Sequence, residues 1–233
     1  MASRHRVLIK LSGEALSSAA ACIDPAILDR FAGEIRAAHK KGLQIGVVVG
    51  GGNILRGAGQ KESDRVTADS MGMLATAING MAIAERLTHL GFKACVMSAV
   101  AIGTFVDAFN RQRALEKLNS GHVVIFVGGT GNPFFTTDTA AALRAAEIGA
   151  DVLLKATKVD GVYDKDPMRH ADAKKYATIS YHEVMNKGLK VMDAAAIALC
   201  EENSIPLRVF NFNEPGQLQK ILAGKNLGTI IGR

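Results

Sequence analysis

Tryptophan is absent from this 233-residue sequence and aromatics make up only 5% of it, within a composition otherwise ordinary for a globular protein. Cysteine is almost as scarce. Cys22, Cys95 and Cys200 are odd in number, far apart and without paired spacing, which excludes a disulfide framework or a zinc site and points to a reducing compartment. No apolar run is long enough to span a bilayer, and the opening Met1-Ala2-Ser3-Arg4-His5-Arg6 lacks the apolar core of a signal peptide. A cytoplasmic protein with no membrane partner is expected. The formal charge is +6, yet no block of consecutive Lys/Arg forms a nucleic-acid arm, so a solvated surface with a few anion-binding positions is the expectation. Two standard nucleotide motifs are missing as well. There is no Gly-x-x-x-x-Gly-Lys-Ser/Thr, and a Gly-x-Gly-x-x-Gly count begun at Gly50 ends on Leu55, while one begun at Gly129 ends on Phe134. P-loop enzymes and dinucleotide dehydrogenases are therefore disfavoured. The six histidines are scattered, with no His-x-x-x-His pair, and no repeat or Pro-rich linker divides the chain. One domain is expected.

What is present is a series of short apolar runs, each followed by a small-residue loop and then a helix. Val7 to Leu11 reads as a buried strand ending in Ser12-Gly13, and a helix follows with Asp24 as N-cap, Pro25 in its first turn and Gly42 beyond its end. Ile27, Leu28, Phe31 and Ile35 fall on one face of that helix. Leu43–Val49 is a second strand, and a long helix is expected from about Asp69 to His89, ending at Gly91. Further strands are expected at Lys93–Met97, His122–Val127, Asp151–Lys155 and Leu207–Phe210. Continuous rather than alternating apolar runs suit a sheet covered on both faces, so a three-layer αβα sandwich with a mostly parallel central sheet is predicted. Ligands in such sheets sit beyond the carboxyl ends of the strands, where all the glycine-rich loops of this chain lie. The more polar stretch Asp160 to Lys190 is a candidate nucleotide-side flap.

Four elements carry chemistry. Gly128-Gly129-Thr130-Gly131-Asn132-Pro133-Phe134-Phe135-Thr136-Thr137-Asp138 joins a strand to an Ala-rich helix and gathers hydroxyls and free amides where phosphate binds readily. Its two phenylalanines suggest a pocket with an apolar side, as a nucleoside monophosphate needs. Lys10-Leu11-Ser12-Gly13 places a lysine near the end of the first strand; taken alone, that lysine reads as an edge residue snorkelling to water. Gly50-Gly51-Gly52-Asn53 with Arg56-Gly57-Ala58-Gly59 offers backbone amides and a clamping guanidinium to phosphate, or merely a tight turn. The segment from Asp151 to Pro167 contributes a second strand-end lysine, Lys155, before a loop rich in Asp and Gly. Asp138 alone reads as a helix N-cap. Together, two lysines, two glycine loops and a hydroxyl-rich loop converge on one edge of the sheet. Met71, Met73 and Met81 share one helix and read as core or subunit interface.

At these residues the chain resembles the bacterial uridylate kinases of the amino acid kinase superfamily. The resemblance runs from the first strand to the C-terminus, through Lys-Leu-Ser-Gly-Glu at 10–14, Gly-Gly-Gly-Asn at 50–53, Arg-Gly-Ala-Gly at 56–59 and Asp-Ser-Met-Gly-Met-Leu-Ala-Thr at 69–76. It continues through Thr-Gly-Asn-Pro-Phe-Phe-Thr-Thr-Asp at 130–138, Lys-Ala-Thr-Lys-Val-Asp-Gly-Val-Tyr at 155–163 and Leu-Lys-Val-Met-Asp at 189–193. It implies UMP bound by Gly51, Asp69 and Thr130, Gly131, Asn132, Pro133, Phe134, Phe135, Thr136 and Thr137. It also implies ATP bound by Lys10, Leu11, Ser12, Gly13, Gly52, Arg56, Thr157, Tyr163 and Asp166. An amino acid kinase-like fold is implied, with an acceptor-side lobe of roughly residues 1–150 and an ATP-side lobe of roughly 151–233. So are Mg²⁺ carried on the ATP phosphates and water, a homohexamer and inhibition by UTP. Activation by GTP is in doubt, because a segment that contains glycine in many members reads Ser17-Ser18-Ala19-Ala20-Ala21-Cys22 in this chain.

The chemistry suits those residues. A phosphate monoester is largely dianionic at neutral pH, since its second pKa is about 6, and it needs no general base. The site must supply alignment and positive charge. Lys10 and Lys155 are expected to supply charge, Asp138 to orient them, and Arg56 to steady a phosphate. Two rivals stand beside this reading: a kinase of the same superfamily acting on acetylglutamate, aspartate or carbamate, and a non-catalytic nucleotide or oxyanion binder.

Overall fold

The computed structural model describes residues 6–40, 42–55 and 64–232. In chain order these form β1 (Arg6–Leu11), a 3-10 turn (Gly13–Leu16), α1 (Pro25–His39), β2 (Gln44–Val49), α2 (Arg65–His89), β3 (Ala94–Ser98), β4 (Asp107–Ala108) and α3 (Arg111–Asn119). There follow β5 (Val123–Val127), α4 (Thr137–Ile148), β6 (Val152–Thr157), β7 (Val162–Tyr163), β8 (Lys175–Tyr176) and β9 (Thr178–Ser180). The chain continues through α5 (Tyr181–Asn186), α6 (Ala194–Glu202), β10 (Leu207–Asn211), α7 (Gln217–Leu222) and β11 (Thr229–Gly232).

Nine strands make one sheet in the order β4-β3-β5-β2-β1-β6-β10-β11-β9, and every described pairing is parallel except β10 with β11. The five strands of the first half of the chain lie on one side of the β1–β6 seam and those of the second half on the other. Connections therefore run in opposite directions from that seam, which is where open α/β sheets form a crevice beyond their strand ends. β7 and β8 pair with each other as a separate two-stranded hairpin.

The period of two along the strands decides what each residue meets. Val7, Ile9 and Leu11 of β1 pack into a core made with α1, α2 and α7, through residues such as Phe31, Ile35, Ile83 and Leu218. Leu8 faces the opposite layer, where Ala141, Ala145 and Ile148 of α4 and Ile197 of α6 close the second core. In β6, Leu154 and Ala156 face the first layer and Leu153 the second. Lys10 and Lys155 continue the faces of Leu8 and Leu153, and so both point toward α4.

Local signals account for the helix starts. Asp24 caps α1, accepting from the amide of Ala26 at 2.8 Å, with Pro25 in the first turn. α2 begins at Arg65, four residues before the expected Asp69, because Asp64 supplies an N-cap to the amide of Thr67 at 3.0 Å. α4 ends on Gly149 in the left-handed region.

Candidate active site

Lys10 and Lys155 are register partners on adjacent parallel strands, so their side chains lie side by side at the seam. Asp138 stands between them. Lys10 Nζ is 2.7 Å from its Oδ1, and Lys155 Nζ donates to its Oδ2 at 2.6 Å. Lys10 is only 7% exposed and sits in a central strand, which overturns the reading of an edge lysine reaching for water. Burying its charge is tolerable because the carboxylate meets it. Burial alone would raise the Asp138 pKa, but Lys10 and Lys155 outweigh it and hold the carboxyl below its ordinary range. Lys155 is pushed below the usual lysine value, chiefly by burial, against the pull of Asp138.

Asp138 is not the N-cap of α4. Thr136 is: its hydroxyl accepts from the Asp138 amide at 3.0 Å, which leaves the Asp138 carboxylate free to face the lysines from the first turn. Thr136 also hydrogen-bonds Asp193, and Thr139 donates to both Asp193 oxygens at 2.9 Å. Asp193 in turn caps α6 through the amide of Ala196 at 2.8 Å. Two residues upstream of Asp193, the Val191 carbonyl accepts from Lys155 Nζ. One short strap thus holds both α4 and the second lysine.

On one side of the seam lies a cleft of about 560 Å³, lined among others by Gly51, Gly52, Asp69, Thr130, Asn132, Phe135, Thr136 and Thr137. Backbone packing shapes its floor. A Cβ on Gly13 would stand 2.7 Å from the Gly52 nitrogen and 2.8 Å from the Gly50 carbonyl, so the loops after β1 and β2 touch main chain to main chain. Two buried side chains of α2 fix the loops: Asn79 donates to the Gly50 carbonyl at 2.7 Å, and Thr76 accepts from the Gly128 amide at 2.7 Å. Asp69 accepts from the Phe134 amide at 2.7 Å and from Arg65 at 2.9 Å, joining α2 to the hydroxyl-rich loop. On the other side a second cavity, of about 430 Å³, is lined by Thr157, Tyr163 and Asp166 together with Gly161, Val162 and the strap from Lys187 to Val191. The Tyr163 hydroxyl donates to Asp160 at 2.6 Å, and that bond with burial pushes its pKa up to about 12. Lys175 pairs with the other oxygen of Asp160 at 2.8 Å.

Asp138 and Lys155 line a further cavity of about 490 Å³, and their neighbours Thr137 and Val191, the latter bonded to Lys155, line the first and second clefts; a buried Lys–Asp–Lys cluster so placed suits group transfer between two bound molecules. Residues 5–211 match the amino acid kinase family. The chain belongs to the amino acid kinase family. Among its relatives, the uridylate kinase of Xanthomonas campestris pv. campestris is 54% identical over 232 residues, 98% of this chain and 97% of the relative. The uridylate kinase of Legionella pneumophila is 49% identical over 230 residues, 97% of this chain and 94% of the relative. Among solved structures, the UMP kinase of Bacillus anthracis superposes with a TM-score of 0.95 at 39% identity, covering 97% of this chain and 95% of that one. The UMP kinase of Ureaplasma parvum superposes at 0.94 and 39%, covering 99% of each chain.

For this amino acid kinase family chain, several expected site residues occupy positions of a different kind. Leu11 has its side chain wholly in the core, so only its main chain faces the loops, its carbonyl accepting from Gly50 at 2.9 Å. Ser12 opens the 3-10 turn, its carbonyl accepting from Ala15 at 3.0 Å. Gly52, expected beside ATP, lines the first cleft with Gly51. Gly131, Pro133 and Phe134 are not among the residues lining that cleft, and Phe134 is exposed with φ at 72°. Arg56 lies outside the described residues. Met73 lines the first cleft, whereas Met81 is exposed on α2. Thr76, Asn79 and Asp193 received no role from sequence; each is a polar residue inside or capping an Ala-rich helix, and only Asp193 had a signal, an Asp directly before Ala194-Ala195-Ala196.

Proposed function

We propose that this chain transfers the terminal phosphoryl group of ATP to UMP, giving ADP and UDP for pyrimidine nucleotide synthesis. The observation that carries the reading is the Lys10–Asp138–Lys155 cluster, whose neighbours Thr137 and Val191 line the first and second clefts. UMP occupies the cleft of Gly51, Asp69 and the Thr130–Thr137 loop; ATP occupies the cavity of Thr157, Tyr163 and Asp166, with its phosphates reaching the seam past Ser12 and Gly13. The acceptor phosphate attacks directly and in line, so no side chain removes a proton. Lys10 and Lys155 donate hydrogen bonds to oxygens of the transferred group, and their charge matches the charge spread over it. Asp138, already bonded to both, holds the ammonium groups at a fixed separation and takes no proton. Arg56 steadies a phosphate.

No group of three or more His, Cys, Asp or Glu among the described residues is set to hold a metal ion. The carboxylates nearest the seam, Asp138 and Asp193, are already engaged by lysines and hydroxyls. This donor set fits Mg²⁺ held by the ATP phosphates and water, where it would neutralise phosphate charge. The halves of the sheet on either side of the β1–β6 seam correspond to an acceptor-side lobe (roughly 1–150) and an ATP-side lobe (roughly 151–233) of one domain. A homohexamer belongs to the same reading: Leu74, Ile78 and Met81 form an exposed apolar stripe along α2 of a kind that subunit contact covers. UTP inhibits by competing for the uridine cleft. A cytoplasmic location belongs to the same reading.

The test is ADP release from ATP·Mg²⁺ with UMP, CMP, dUMP, dTMP, acetylglutamate and aspartate as acceptors. Strong turnover with UMP is expected. Turnover with an amino acid instead would discard the acceptor site, and ATP binding without turnover on any acceptor would leave a nucleotide-binding protein.

A further inference from the structure

The hairpin of β7 and β8 supplies one wall of the second cavity, yet it pairs over only two residues, Val162 with Tyr176 and Tyr163 with Lys175. A hairpin of that size has little stability of its own. Its attachment is therefore the question. The β8 arm runs directly into β9, which pairs with β11, and Ile230 donates to the Ala177 carbonyl at 3.0 Å. The β7 arm meets the sheet at Thr229, the first residue of β11. Thr229 is wholly buried, and its hydroxyl accepts from the Val162 amide at 2.8 Å while donating to the Tyr176 carbonyl at 2.5 Å. One hydroxyl thus bridges the two residues that face each other across the hairpin. The approach depends on Gly161, where a Cβ would stand 2.6 Å from the Thr229 oxygen. Thr229 is not among the residues lining the cavity.

We propose that Thr229 is a positioning residue for the ATP flap, acting through Val162 and Tyr176 to fix the wall that carries Tyr163. The inference rests on the reading that this cavity takes ATP. Thr229→Val keeps the shape, removes both hydrogen bonds and strands the buried Val162 amide, a loss that corresponds to roughly a tenfold change in an equilibrium. The flap then samples positions that bind ATP poorly, whereas the UMP cleft, across the seam, is untouched.

The experiment is steady-state kinetics on the full chain, varying ATP at saturating UMP and the reverse, for the parent, T229V and T229S. Expected is a KM for ATP raised about tenfold in T229V, with kcat and the KM for UMP within twofold of the parent, and recovery in T229S, which keeps the hydroxyl. An unchanged KM for ATP in T229V, or equal losses for both substrates, overturns the proposal. If T229V does not accumulate as folded protein, T229A is read by the same split. If the parent itself makes no ADP with UMP, the functional reading fails, and ATP affinity of T229V against the parent by equilibrium dialysis still judges the latch.

Discussion

Replacing Asp138 by Asn keeps the size of the side chain and removes the one negative charge held between Lys10 and Lys155. The three side chains are 14%, 9% and 13% exposed, so water does little to screen the two ammonium groups left facing each other. Breaking a buried pair by removing one partner costs about 3–5 kcal/mol, here with two cations affected rather than one. Against a total stability of about 5–15 kcal/mol, that is a large share. Nucleotide-free D138N is therefore expected to unfold at markedly lower urea concentration, and saturating ATP is expected to narrow the gap, because phosphate restores negative charge at the seam. Turnover should fall at least ~100-fold, equivalent to about 2.7 kcal/mol of lost transition-state stabilisation, since the lysines no longer have a fixed aim. D138N/K155M separates the two effects: removing one clashing cation should recover stability without recovering turnover. The reasoning is refuted if D138N matches the parent within about 0.5 kcal/mol in urea and within threefold in kcat, values expected of an ordinary surface substitution.

The same carboxylate sets an acid limit. Its folded pKa lies below the ordinary 3.8, so its contribution is full above that value and is lost as pH falls from 3.8 through the lower folded value; urea midpoints should show this slope in the parent and lack it in D138N. Lys155 acts in the other sense: its pKa is lowered from 10.5, so the unfolded chain binds the proton more tightly and stability should rise with pH between the lowered value and 10.5. G13A forces a Cβ to within 2.8 Å of two neighbouring main-chain atoms, and separating the loops should cost about 1–3 kcal/mol in denaturant and raise the KM for both nucleotides. Thiol titration at pH 8 should find one fast cysteine, the exposed Cys22, because burial pushes Cys95 up to about 11 and Cys200 up to about 12; three equal rates would contradict this.

Much of the site was legible because strand-end loops announce themselves. Lys10, Lys155 and the Thr130–Thr137 segment each follow an apolar run, and a parallel sheet gathers such ends on one edge. That the two lysines act together around Asp138 was expected; that they are register partners was not legible, since it depends on β1 and β6 being neighbours across 145 residues of chain, a pairing that no local signal encodes. Asp138 shows the same limit in miniature. An Asp at a helix start, taken alone, is most simply a cap, and only the placement of Thr136 two residues earlier reveals that the cap was already taken. The short elements β4, β7, β8, β9 and β11 escaped because two to four residues carry too little periodicity to read. α3 escaped for another reason. Its nine residues, Arg111-Gln-Arg-Ala-Leu-Glu-Lys-Leu-Asn119, bury only Ala114 and Leu118, too narrow a stripe to stand out.

The residues to which sequence reasoning gave no role share one property: they act on backbone. Asn79 and Thr76 hold the main chain of the two glycine loops, Asp193 caps a helix whose preceding strap binds Lys155, and Thr229 ties an amide and a carbonyl of the flap. Asn79, Thr76 and Thr229 carry no charge and sit in a helix or strand whose apolar pattern hides them, while the carboxylate of Asp193, just before α6, is taken up by Thr136, Thr139 and the Ala196 amide. Yet a site that works by alignment rather than by proton transfer is only as good as the placement of its loops, and a misplacement of about 1 Å costs on the order of 100-fold in rate. The hydroxyls and amides behind the glycine loops should therefore be as sensitive to substitution as the groups that touch phosphate, and their variants should fail in substrate-specific ways according to which wall of the seam each one holds.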